Sequence, residues 1–114
     1  MLMNTQDPTD SKRDLRRYPR KACTARTVLF HELQAEVSET VQVGEGGMMV
    51  TTKLPVQIGE VITIHFVLNE YYIRARGKVL YRIEGQHNEK VKIGIEFQSL
   101  FEEYREAIRN FSTI

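Results

Sequence analysis

Between residues 61 and 97 hydrophobic and polar side chains change places at almost every step. Val61–Leu68 sets Ile62, Ile64, Phe66 and Leu68 on one side and Thr63, His65 and Val67 on the other, the period of two that marks a half-buried strand. Residues 71–83 repeat it, with Ile73, Ala75, Gly77, Val79, Tyr81 and Ile83 inward and Arg74, Arg76, Lys78 and Arg82 outward. Asn69-Glu70 suits the tight turn of a hairpin between these two strands. After a loop at 85–89, Val91, Ile93, Ile95 and Phe97 alternate with Lys92, Gly94 and Glu96. Upstream, 23–30 ends in Thr27, Val28, Leu29 and Phe30, and 36–43 carries Val37, Val41 and Val43; both read as strands. Gly44-Glu45-Gly46-Gly47 then breaks the chain, 48–52 resumes it as a short strand, and 53–59, with Pro55 and Gly59, is a loop.

At Ser99 the period changes to about 3.6. Phe101, Tyr104, Ile108 and Phe111 fall at helical spacing, and Glu102, Glu103 and Glu106 precede Arg109, the charge order a helix dipole favours. Ser99 with Glu102 has the form of a capping box. Six strands in so short a chain would leave exposed edges if the sheet stayed flat, and closure removes them. The expected fold is therefore mostly β: a six-stranded antiparallel barrel with a C-terminal helix.

Length and charge refine this picture. At 114 residues there is room for one core, so the expected organisation is a flexible leader at 1–14 followed by a single domain at 15–114. The net charge of +1 conceals an asymmetry. Residues 1–26 hold seven basic and three acidic groups, a balance of +4, whereas the remaining nine basic and twelve acidic residues leave −3. A basic arm on a mildly acidic body suits a compact anionic ligand better than a long nucleic-acid track. Cys23 is the lone cysteine, which excludes an internal disulfide and a cysteine-rich zinc site and suits a reducing, cytoplasmic setting. No signal-peptide pattern or membrane-length apolar run is present, so membrane insertion is not expected.

The most distinctive cluster is Arg16-Arg17-Tyr18-Pro19-Arg20. Guanidinium is planar, permanently charged and forked; it can take phosphate oxygens two at a time and lie flat on a purine. The plainer alternative is a solvated basic arm. In its order of features the chain resembles a PilZ domain: RRYPR at 16–20, GEGGMMV at 44–50, LPVQIGE at 54–60 before an alternating strand, and KIGIEF at 92–97 before the helix. The resemblance runs over roughly residues 15–111. It implies a six-stranded barrel and, as ligand, the bacterial second messenger cyclic di-GMP, with no other cofactor.

Family members that bind the messenger carry RxxxR in the arm and [D/N]xSxxG on the barrel. Arg16 and Arg20 satisfy the first, and Arg17 adds a donor. The second falls on Gln42, Gly44 and Gly47, so glutamine stands for the acid or asparagine, glycine for the serine, and the final glycine is kept. Gln42 retains an amide on a longer stem; Gly44 loses a hydroxyl, worth roughly 0.5–1.5 kcal/mol of net hydrogen bonding. The resemblance thus implies a ligand site at Arg16, Arg17, Arg20, Gln42, Gly44 and Gly47 and an adaptor acting on a protein effector. The alternative it carries is a divergent interaction module that no longer binds the messenger.

Other chemistry is thinly supported. His31, His65 and His87 form no i, i+4 pair that would suggest a metal, the three glutamates are most simply a solvated helix face, and Cys23 reads as a small packing residue. GEGG lacks a P-loop's lysine. No catalytic residue is identified, and an enzyme is not expected. Arg74, Arg76, Lys78 and Arg82 with Tyr72 could face single-stranded nucleic acid, but that face lacks the several aromatics such platforms use, so nucleic acid is not expected as a partner. Oligomeric state, including a homo-oligomer, is left open.

Overall fold

The computed structural model describes residues 18–85 and 90–113. Six strands follow in chain order: β1 (Arg20–His31), β2 (Gln34–Gly44), β3 (Gly47–Thr52), β4 (Val61–Leu68), β5 (Tyr71–Glu84) and β6 (Val91–Leu100), then the helix α1 (Glu102–Ser112). They close into a barrel in the order β1-β2-β3-β6-β5-β4, with antiparallel neighbours throughout. Closure leaves no strand edge to protect, as the density of strands requires.

The interior is built from the inward positions of the alternating strands. Leu29, Met48, Ile62, Ile64, Phe66, Ile73, Ile93 and Ile95 are essentially inaccessible to solvent. Leu54 and Val56, from the β3–β4 loop, plug one part of this core, and the loop is stitched to β5 by Gly59 N–H donating to Val79 O (2.7 Å) and Val79 N–H donating to Glu60 O (2.9 Å). Gly59 takes φ +96°, a conformation open to glycine at little cost. Asn69 turns the β4–β5 hairpin at φ 55°, as its short polar side chain permits.

Part of the interior is polar. Ser38 and Thr40 of β2 are buried, whereas Val37 is exposed. Thr27 and Thr40 share a hydroxyl hydrogen bond of 2.6 Å, and Ser38 donates to Thr52 Oγ1 at 2.7 Å. Thr52 Oγ1 also accepts from the Leu54 amide at 3.0 Å. These hydroxyls bond to one another, which removes most of the cost of burying them. An extra residue in β2 then shifts its register against β3 between Thr40 and Gln42. That bulge reverses the phase of the strand, so Val43 turns inward and Gln42 comes toward the surface.

Two expectations are corrected. The helix does not start from a Ser99 capping box: Ser99 belongs to β6, Phe101 is the N-cap, and no side chain caps the first turn. Phe101, displaced from the helical stripe, is 65% exposed, and Ala107 and Ile108 are the buried face of α1, with Tyr104 and Phe111 packed beside the core. In β5, an irregularity between Val79 and Tyr81 breaks the alternation, so Ile83 is exposed and Tyr81 lies half-buried over Gly94. A Cβ on Gly94 would overlap the Tyr81 ring.

The hydroxyl pairs predict unequal mutational costs. Thr27 also donates toward Ala25 O (3.1 Å), so Thr40 is left as donor to Thr27. Thr27→Val strands the Thr40 proton and should lower unfolding free energy by about 1–3 kcal/mol. Thr40→Val should cost less, and the double variant less than the sum, in urea titrations.

Candidate ligand site at the β2–β3 turn

The turn from Gly44 to Gly47 is gripped on three sides. From β6, Phe97 N–H donates to Gly46 O at 2.9 Å, and Gly47 lies opposite Glu96 in the ladder. From the arm, Arg20 lies opposite Gly44 at the start of β1. From α1, Arg109 reaches the buried carboxylate of Glu45, with Nη2 at 2.9 Å and Nε at 3.1 Å from Oε2, and Arg105 donates to the Glu45 carbonyl at 3.4 Å. The hydrogen bond from Arg109 to the Glu45 carboxylate first, and the charge of Glu45 next, hold the Arg109 proton more tightly than usual.

Glycine is required here for close approach rather than for a positive φ. A Cβ on Gly44 would overlap the Pro19 carbonyl oxygen, and one on Gly47 would overlap the Ile95 carbonyl oxygen and lie 3.2 Å from Arg20 Nη2. At Gly46 it would meet the Tyr18 ring at 3.0 Å. The chain entering the barrel is thus laid directly on the turn, with the Arg20 guanidinium beside Gly47.

The structure therefore brings Arg20, Gln42, Gly44 and Gly47 together. Arg16 and Arg17 lie outside the described residues. Arg20 is half-buried and enters a strand; the bulge that turns Val43 inward brings half-buried Gln42 toward the surface, where its amide lies 3.9 Å from Met49 Sδ. Sequence reasoning missed Glu45. Its one signal was an acid between glycines with arginines spaced along the helix, and only the fold makes them neighbours.

Other sequence candidates are dispersed. His31 faces Glu60 at 3.5 Å, His65 bonds to Tyr72 at 2.7 Å, and His87 is outside the described residues. Among the described residues no three potential metal ligands cluster. Burial pushes the Cys23 thiol pKa up, which favours the thiol over the thiolate. Arg82 does not extend the Arg74–Arg76–Lys78 row, because past the β5 irregularity it donates to Val56 O (2.8 Å) and pairs with Glu84 (2.7 Å). No helix among the described residues is long and apolar enough to cross a membrane.

The close approach at Gly44 sets an expectation for Gly44→Ser. The new side chain must displace Pro19 and Arg20, so stability should fall by about 1–3 kcal/mol, and hydrogen exchange should rise at residues 18–22.

The PilZ domain family matches residues 14–113. Among solved structures, that of the Bacillus subtilis inhibitor of motility MotI/DgrA is similar in fold, with a TM-score of 0.76 at 18% identity over 85% of this chain. The chain spans 49% of that protein's length. No curated protein sequence matches. The family match covers the arm, the glycine turn, all six strands and the helix, and the chain belongs to the PilZ domain family.

Proposed function

We propose that this PilZ domain is a cyclic di-GMP receptor and adaptor, in which the arginine arm and the β2–β3 turn clasp the dinucleotide and the altered surface is offered to a protein effector. The observation that carries this reading is the placement of the Arg20 guanidinium beside Gly47, where the arm is laid against the β2–β3 turn. Arg16 and Arg20 would engage phosphate oxygens and the Hoogsteen edges of guanine, where bidentate guanidinium contacts fit, while Arg17 stacks or bridges.

Binding at this turn would be felt elsewhere through Glu45. The turn shares its backbone with a buried carboxylate held by Arg109, so a displacement of the turn acts on α1 directly. Rigid coupling of this kind gives an adaptor a route from ligand to surface without any chemistry.

A second reading, a contact-only module that has lost the messenger, is favoured by one observation. The Pro19 carbonyl occupies the space over Gly44 where messenger-binding relatives carry a serine, and Gln42 replaces their acid or asparagine.

Calorimetric titration with cyclic di-GMP separates the two. The receptor reading expects saturable heat at or below about 100 micromolar, lost in Arg20→Ala and in Arg16→Ala while cooperative unfolding is kept. Gln42→Asn should tighten binding. Absence of heat from the parent protein at that concentration establishes the contact-only reading.

A further inference from the structure

On the opposite wall of the barrel, β4, β5 and the end of β6 form a shallow hollow of about 310 Å³ lined by Thr63, His65, Arg74, Arg76, Ser99 and Phe101. The ladder sets its contents. His65 lies opposite Arg74, Thr63 opposite Arg76, and Arg76 opposite Ser99. Arg74 and Arg76 are two residues apart on one strand and point out from the same face, roughly 7 Å apart along it. Neither forms an ion pair among the described residues, whereas Arg82, Arg105 and Arg109 each pair with a carboxylate. Their neighbours in the hollow are hydroxyls and an imidazole, none of which neutralises them.

The hollow also has a fixed apolar frame. His65 is held between Phe30 (ring centroids 4.8 Å) and Tyr72 (5.5 Å), and its Nδ1 lies 2.7 Å from the Tyr72 hydroxyl. Burial first, and the charge of Arg74 next, lower the His65 pKa, so the ring stays neutral near pH 7. Phe101 stands at the rim, while Val67 and Tyr72, opposite each other in the ladder, are also more than half exposed. Guanidinium with no ion pair among the described residues, beside exposed aromatic and aliphatic surface, is the composition of a protein interface.

We propose that this hollow docks an acidic segment of a partner protein, with a carboxylate bridged by Arg74 and Arg76 and an adjoining apolar side chain resting on Phe101. Charge complementarity selects the occupant. A polynucleotide would need a continuing row of cations, but the row ends at Lys78, which lies opposite Glu96, and exposed Glu102 and Glu103 follow Phe101 directly. A single carboxylate meets the two arginines without running into those glutamates. The docking depends on none of the messenger-site residues and so stands apart from the reading of the β2–β3 turn.

The test uses a fluorescent peptide with one glutamate beside a phenylalanine in an otherwise uncharged sequence, a matched peptide with lysine for that glutamate, and oligo(dT), each titrated into the full chain by anisotropy and by NMR of the arginine Nε–H signals. The acidic peptide should bind saturably, shift the Arg74 and Arg76 signals, and lose about ten-fold in affinity for each of Arg74→Gln and Arg76→Gln. Phe101→Ala should weaken it further, with thermal unfolding of all three variants unchanged because the side chains are exposed. Arg20→Ala should bind the peptide like the parent. The proposal is overturned if the lysine peptide or oligo(dT) binds as well, if the arginine variants bind undiminished, if Arg20→Ala removes the binding, or if sedimentation shows a self-association that Arg74→Gln abolishes.

Discussion

Two carbonyl oxygens set the geometry on which this barrel turns. Those of Pro19 and Ile95 meet the β2–β3 turn so closely that a side chain at Gly44 or Gly47 would force neighbouring backbone to shift. One contact joins the entering arm to the sheet and the other belongs to the β3–β6 pairing that closes the barrel. Hard-core repulsion at these distances is steep, so both positions are held to glycine by packing density rather than by turn conformation. The same contacts lay the arm on the turn and set the Arg20 guanidinium beside Gly47.

Glu45 extends that constraint to the far end of the chain. It projects from between the two glycine positions, is buried, and is matched by Arg109 from α1, with Arg105 on its carbonyl. Breaking such a pair from one side would leave a buried carboxylate uncompensated, which is costly. Helix and turn are therefore joined by this pair as well as by the burial of Ala107 and Ile108 of α1. The β4–β5 wall meets α1 only at its N-cap, Phe101, among the residues that line the hollow. It offers the exposed guanidinium groups of Arg74 and Arg76, which form no ion pair among the described residues, and exposed rings, a surface suited to recognition in its own right.

Much of the architecture was legible from alternation. β4 and β6 follow their period of two closely, because a strand with one buried face admits only one phase. The barrel followed from the number of strands, and the family from RRYPR, GEGGMMV and KIGIEF. The failures fall at bulges and ends. Before the bulge in β2 the buried residues are Ser38 and Thr40, while Val37 faces solvent, because hydroxyls that find partners across strands can be buried at little cost. In β5 the register shift past Val79 exposed Ile83. At the helix, pairing of Ser99 with Arg76 kept it in β6 and moved the start to Glu102.

Residue order alone determined that six half-buried strands and a closing helix would form, and which arginines and glycines belonged to a PilZ pattern, because side-chain periodicity and local motifs are properties of neighbours in the chain. It did not decide that Pro19 would lie on Gly44, that Glu45 would face Arg109 across 64 positions, or that Arg74 and Arg76 would share a hollow with Phe101. Those are contacts across the barrel, set by bulges and closure, and they exist only once distant segments are packed against one another.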